Sequence, residues 1–266
     1  DGMVGWGECV AFREPWYTEE TLQTAAHIMK DFLIPKLIQQ PIYHPDELQH
    51  LFSPVRKNPM AKSALEGAIW DLYAKKNNKS LSRALGGTKN KIDTGVSIGL
   101  QASDEHLFRL IDHSLEQGYK RIKLKIKPGQ DISLIRTVRR RYPHLPIMAD
   151  ANSAYCLADM DLLKALDEFD LMMIEQPLRF DDFYEHAILQ QHITTPVCLD
   201  ESIQSFENAK QAIALGSCKV INLKIGRVGG LSEAIKILHL CEANNISVWC
   251  GGMLESGISR AHTIAL

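Results

Sequence analysis

Val220-Ile221-Asn222-Leu223-Lys224 is a short strand-type run that ends in a lysine, a residue an apolar strand would not choose for packing. Four earlier runs have the same form: Ile122-Lys123-Leu124-Lys125, Pro146-Ile147-Met148-Ala149-Asp150, Leu171-Met172-Met173-Ile174-Glu175 and Pro196-Val197-Cys198-Leu199-Asp200. Their terminal charges, Lys125, Asp150, Glu175, Asp200 and Lys224, follow one another at intervals of 25, 25, 25 and 24 residues. A fixed period of this size means one structural unit repeated. Working outward, strand patterns fall at about 92–98, 121–126, 146–150, 171–175, 196–200, 219–224 and 246–250. Helical spacing falls between and after them, at about 103–117, 131–141, 157–167, 181–190, 204–214, 231–243 and from about 257. Strict alternation argues for a parallel sheet.

Parallel strands are buried on both faces, so charges are tolerated mainly at their ends. All five charges sit at the C-terminal ends, where a (β/α)8 barrel builds its active site. A doubly wound open sheet is the competing arrangement. It lacks support, because no Gly-rich phosphate loop follows the early strands and its ligands gather at a single switch point.

Upstream, alternation is absent. Val4 to Phe12 reads as a strand ended by Pro15, with Thr18 able to cap a helix from Glu19. Further helices are expected at about 46–52 and 60–76, and Gly86-Gly87-Thr88 supplies the C-cap of a last short helix. The fold class expected is therefore α/β: a modified (β/α)7β barrel over 89–266 with a smaller α+β capping domain over 1–88. No eighth strand is present, the chain opens at Asp1 in sheet-like sequence, and it stops at Leu266 inside a helix, so both domains are expected to be partial.

With 266 residues, 45% hydrophobic and 23% charged, the composition excludes disordered and collagen-like classes. Net charge is −2 with Lys and Arg spread along the chain, so no footprint for nucleic acid or anionic lipid appears and a small-molecule partner is expected. Six cysteines without metal-type or redox-type pairing suit reduced thiols in a cytoplasmic protein. No run is apolar and long enough to span a membrane, and a homo-oligomer is expected.

Asp150, Glu175 and Asp200 fall on three consecutive strands at equivalent positions, and should converge at the barrel mouth. Carboxylates that close repel unless a cation lies between them, and an all-oxygen set with open positions suits Mg²⁺. Any one of these acids alone could instead cap a helix or pair with a surface lysine. Lys125 and Lys224 lie on the flanking strands, one on each side. Alternation puts Lys123 and Lys125 opposite Ile122, Leu124 and Ile126, and puts Asn222 and Lys224 opposite Ile221 and Leu223. Two lysines bracketing a metal site are candidate acid-base groups. The matching chemical problem is removal of a proton from the carbon beside a carboxylate, where a metal neutralises the charge that develops. A Schiff-base aldolase would need one lysine and no carboxylate trio. A non-catalytic binding protein gives no reason for two lysines to face a metal.

These residues resemble the enolase superfamily, in its muconate-lactonising-type branch. The resemblance rests on Lys123-x-Lys125, Asp150-Ala151-Asn152, Glu175-Gln176-Pro177, Asp200-Glu201-Ser202 and Lys224, with Ala68-Ile69-Trp70-Asp71 in a region like the family's capping domain. Within the branch, Arg121 to Gly129, Gly5-Trp6-Gly7-Glu8-Cys9 with Glu14-Pro15-Trp16-Tyr17, and Gly251 to Gly257 are similar to o-succinylbenzoate synthases related to N-succinylamino acid racemases. The resemblance implies a Mg²⁺-dependent dehydration in menaquinone synthesis through an enediolate, with racemase activity beside it. A dedicated N-acylamino acid racemase or a dipeptide epimerase is the alternative. By carry-over, Asp150, Glu175 and Asp200 are the metal ligands. Lys125 is the base and the acid that assists the leaving hydroxide, while Lys224 stabilises the enediolate or works on the opposite face. Lys123, Asn152, Arg227, Gly252 and Met253 would contact the carboxylate substrate. Arg227 resembles an arginine of racemase-competent members; read alone, it is a surface residue near the start of a helix.

Overall fold

A computed structural model describes residues 2–266; Asp1, the first residue of the expected capping domain, lies outside them. Seven strands form one all-parallel sheet in sequence order: β1 (Gly95–Ile98), β2 (Arg121–Lys125), β3 (Ile147–Asp150), β4 (Met173–Glu175), β5 (Val197–Leu199), β6 (Val220–Leu223) and β7 (Ser247–Cys250). Helices α6 (Asp104–Glu116), α7 (Ile132–Arg141), α8 (Met160–Ala165), α9 (Tyr184–His192), α10 (Phe206–Leu215), α12 (Leu231–Ala243) and α13 (Gly257–Ala265) follow the strands as the spacing predicts. A short helix, α11 (Ile225–Val228), is wedged after β6 and has no periodicity of its own. Among the described residues β1 and β7 are the edge strands, each paired on one side only.

The two faces of the sheet divide as the alternation requires. Ile122, Leu124, Ile147, Ala149, Ile174, Leu199, Ile221 and Leu223 pack outward with the helices in the main core. Met148, Met173, Cys198 and Val220, from four successive strands, form a separate inner cluster closed by Trp249 of β7. One face gathering side chains from β3 through to β7 is the mark of a sheet curled around them.

Upstream lie α1 (Leu22–Ile28), α2 (Ile34–Ile38), α3 (Glu47–Phe52), α4 (Pro59–Lys76) and α5 (Leu81–Ala84). Gly86 follows α5 at φ +91°, the left-handed cap position for which glycine is suited. Two expectations here are corrected. Residues 4–12 do not form a strand; only Phe12 makes a bridge, to Thr21. The extended segment lies along α4 instead, so closely that a Cβ on Gly7 would stand 2.0 Å from the Ala64 carbonyl oxygen. A backbone pressed on a helix has no strand to pair with. The first helix starts at Leu22, capped by Thr21, and not at Glu19 with Thr18. The reason is that Glu20 is used elsewhere: it accepts from the Met60 and Ala61 amides at 2.7 and 3.1 Å, capping α4.

Glu66 does the same across to the sheet layer. Its carboxylate accepts from the amides of Leu231 and Ser232 at 2.5 and 2.9 Å, so α4 holds the N-terminus of α12. Burial pushes this carboxyl up to about 7 from its ordinary 4.5, despite those bonds. A folded-state value above the unfolded one means a contribution present in full below pH 4.5 and lost as pH rises through about 7. Relative to Glu66→Gln, the parent should therefore lose about 3 kcal/mol over that window, at ~1.4 kcal/mol per unit. Urea midpoints of both proteins at pH 5 and pH 8 measure the difference.

Candidate active site

The five terminal charges meet at one end of the sheet. Lys125, Asp150 and Glu175 are the last residues of β2, β3 and β4, while Asp200 and Lys224 come one residue after β5 and β6. They are not all level, contrary to the equivalent positions read from the period. Lys125 pairs with Asp150 and Asp150 with Glu175, but Glu175 pairs with Cys198, two residues before Asp200. Leu199 pairs with Ile221, so Asp200 is level with Asn222 and Lys224 stands two residues beyond. The step is even, so every side chain keeps the inner face, and the stagger is what tilted strands of a curled sheet impose.

Asp150, Glu175 and Asp200 are 1%, 0% and 1% exposed, which makes their partners decisive. The Lys123 ammonium bridges the first two, at 2.8 Å from Asp150 Oδ2 and 2.9 Å from Glu175 Oε1, and lies 4.8 Å from the Trp249 ring centre. Asn222 donates to Glu175 Oε1 at 2.9 Å. Lys125 donates to Asp150 Oδ2 at 2.7 Å and to Asn152 Oδ1. On the far side, Lys224 donates to Asp200 Oδ2 at 2.8 Å and Arg227 to Asp200 Oδ1. Tyr17 closes this side, its hydroxyl accepting from Lys224 Nζ at 2.8 Å and Arg227 Nη2 at 2.6 Å.

The electrostatics follow from these partners. Burial pushes Glu175 up to about 8, with the Asp150 and Asp200 charges adding to it, and Lys123 offsets this only in part. Burial acts in the same direction on Asp200, but Arg227 and Lys224 outweigh it and hold that carboxyl well below its usual range. Burial would lower Lys123, yet Glu175 and Asp150 raise it strongly. Among the described residues, no three His, Cys, Asp or Glu side chains form a ready ligand set; the lysines and Arg227 hold the carboxylate oxygens. The donor set nonetheless fits a hard dication: all its atoms are carboxylate oxygens, all three groups are buried, and the Asp150 and Asp200 charges still push Glu175 up.

The remaining expected residues are spread around the same cavity, which Lys125, Asn152, Lys224, Arg227, Gly252 and Met253 all line. Arg227 is 3% exposed and bound to Asp200, so the surface reading of it is corrected. Its helix, α11, is buried because it packs on α4 and Val10: a Cβ on Gly226 would lie 2.4 Å from Val10 Cγ2. A Cβ on Gly252 would meet the Arg260 guanidinium, the far end of a flexible side chain, and Met253 is buried with Val10 and Met60. Gln176, at φ +40°, accepts from the Asp200 and Ser202 amides at 3.0 and 3.2 Å, which fixes the loop carrying Asp200.

Tyr17 and Glu201 are the site members that spacing missed. Tyr17 reaches Lys224 across 207 residues of sequence, and its one signal was its place in Glu14-Pro15-Trp16-Tyr17. Glu201 was hidden by standing next to Asp200.

Residues 107–266 match the family described as enolase C-terminal domain-like, and residues 1–86 match the mandelate racemase / muconate lactonizing enzyme N-terminal domain. Over 266 residues the chain is 58% identical to an o-succinylbenzoate synthase from Geobacillus stearothermophilus, covering 100% of this chain and 71% of that protein. It is 44% identical to an N-succinylamino acid racemase from Thermus thermophilus, covering 100% and 72%. A crystal structure of an enolase-superfamily member from Listeria innocua superposes with a TM-score of 0.95 at 52% identity, over 98% of this chain and 70% of that one.

Proposed function

The chain belongs to the mandelate racemase / muconate lactonizing enzyme family of the enolase superfamily, and on that premise we propose that it is an o-succinylbenzoate synthase, a carbon-oxygen lyase, with N-succinylamino acid racemase activity beside it. The observation that carries the reading is the pair Lys125 and Lys224, held at opposite sides of one buried carboxylate set. The substrate is a small carboxylate with an acidic α-hydrogen. Asp150, Glu175 and Asp200 would hold Mg²⁺, whose charge, when it is bound, offsets the negative charge developing on the substrate carboxylate.

Lys125, as the neutral amine, takes the α-proton and leaves an enediolate. In dehydration it returns that proton to the departing hydroxide, so that water leaves, the amine is restored and the ring becomes aromatic. Lys224 stabilises the enediolate electrostatically in that reaction. In racemisation Lys224 delivers a proton to the opposite face of the same carbon, which inverts it. Lys123, Asn152, Gly252 and Met253 are proposed as substrate-contacting groups. On this reading the reaction is a step of menaquinone synthesis carried out in the cytoplasm. No helix among the described residues is long and apolar enough to cross a membrane.

The test is a paired assay of the full-length protein with the cyclohexadiene carboxylate and with N-succinylamino acids, with Mg²⁺ and after chelation. Turnover of both that disappears with chelator and returns with Mg²⁺ is expected; turnover of an Ala-Glu dipeptide in their place would assign it to the epimerases. The burial of Arg227 against Asp200 supports the second activity, because this guanidinium shares Asp200 and Tyr17 with Lys224. Arg227→Ala is expected to lower racemisation about 10-fold more than dehydration. The ratio of the two kcat/KM values measures it.

A further inference from the structure

Lys224 is held by Asp200 and the enclosed Tyr17, and Lys125 by Asp150 and Asn152. Asp150 is fixed at the end of β3, so what orients the Asn152 amide decides the second of the two bonds that hold Lys125. Asn152 lies in the loop after β3 at φ +43°, and Ser153 follows at φ +63°, in a left-handed stretch that asparagine tolerates better than most residues. Its amide oxygen accepts from Lys125 Nζ and its Nδ2 donates to Glu201 Oε1 at 2.8 Å. Glu201 belongs to the loop after β5, so this bond reaches over β4.

An amide side chain has a donor end and an acceptor end that are nearly the same shape, and only its neighbours decide which way round it sits. A carboxylate accepts only. With Glu201 on one side, Asn152 must direct Nδ2 there and present its oxygen to Lys125. The second carboxylate oxygen of Glu201 is shielded from solvent and has no hydrogen-bond partner among the described residues. Such a group is costly for stability alone, since an uncharged side chain would avoid the penalty. Glu201 also lines the cavity with Lys125.

We propose that Glu201 is a positioning residue for Lys125, acting through the fixed amide of Asn152; this rests on the proton-transfer role given to Lys125 above. Glu201 does not touch the α-carbon in this scheme. It keeps the Lys125 nitrogen from rotating away from the substrate, and so serves one of the two faces of the reaction only.

That asymmetry is the test. In full-length protein with Mg²⁺, exchange of the α-proton of each N-succinylamino acid enantiomer into deuterated water is followed by NMR. The enantiomer whose exchange is lost in Lys125→Ala defines the Lys125 face. Glu201→Leu is expected to slow exchange on that face about 10²-fold and to leave the other within about twofold. Glu201→Gln, whose carbonyl oxygen still accepts from Asn152, should recover most of the loss. Asn152→Ala added to Glu201→Leu should leave the ratio of exchange on the two faces as Glu201→Leu left it, because both cut one relay, and that ratio in Asn152→Ala alone carries the comparison should Glu201→Leu not fold. Equal slowing of both enantiomers, as a general loosening of the loops would produce, overturns the proposal.

A second readout needs neither metal nor turnover. Acetylation rates of Lys125 and Lys224 are compared by peptide mass spectrometry in metal-free parent and Glu201→Leu. The Lys125-to-Lys224 ratio should change several-fold, and an unchanged ratio also overturns the proposal. If the parent exchanges neither enantiomer, the proposed activity fails, and the labelling ratio still decides the role of Glu201.

Discussion

Lys125→Ala is expected to lower both dehydration and racemisation by about 10³-fold or more, within the range a positioned general base contributes. The loss should appear in kcat. The side chain is 34% exposed at the end of β2, so the variant should fold and retain substrate. Lys224→Ala is expected to be as damaging, but for a reason that depends on the reaction: a proton carrier disappears from racemisation and an electrostatic support from dehydration. The two variants are separable by α-proton exchange with single enantiomers, where each should abolish exchange on its own face. Exchange of both enantiomers at the parental rate in Lys125→Ala would remove that residue from the assignment.

Asp200→Asn should cost both activity and stability. Asp200 is the anion shared by Lys224 and Arg227 inside the protein, and both cations are themselves buried. Removing one charge from a buried set leaves its partners uncompensated, at a cost of about 3–5 kcal/mol. Urea unfolding of the metal-free full-length protein measures this. Asp181→Asn, which removes an exposed partner of Arg179, is the control and should leave the midpoint unchanged. The sign with pH is determined by the depressed folded-state value of Asp200. Its contribution is present above the ordinary carboxylate value and is lost only as pH falls through the folded one, so it survives mild acid. A midpoint for Asp200→Asn equal to the parent's at neutral pH would mean that this cluster contributes nothing net to folding.

The same residues show what a reader of the chain could and could not see. A 25-residue period placed five charges at strand ends, and the sheet has Lys125, Asp150 and Glu175 closing their strands with Asp200 and Lys224 one residue beyond. Alternation correctly assigned Ile122 and Leu124 to the helix-facing side, because side-chain direction in a strand is a local property. The two-residue steps at β5 and β6 were invisible, since register depends on how neighbouring strands slide when the sheet curls. Arg227 looked like a helix-start surface residue because nothing near it in sequence announces that α4 and Val10 cover its helix. The segment 4–12 has strand composition, yet composition cannot say whether a partner strand or a helix will lie beside it.

By itself the sequence determined the alternation of strand and helix, the face on which each strand side chain lies, and the chemical types gathered at one end of the sheet. These are set within a few residues by backbone geometry and burial preference. Only the tertiary structure decided the stagger of the carboxylates, the enclosure of Lys224 by Tyr17 and Arg227, and the reach of Glu201 over β4 to Asn152. Each of those joins groups distant in sequence or in neighbouring strands, and depends on the curvature that brings them together.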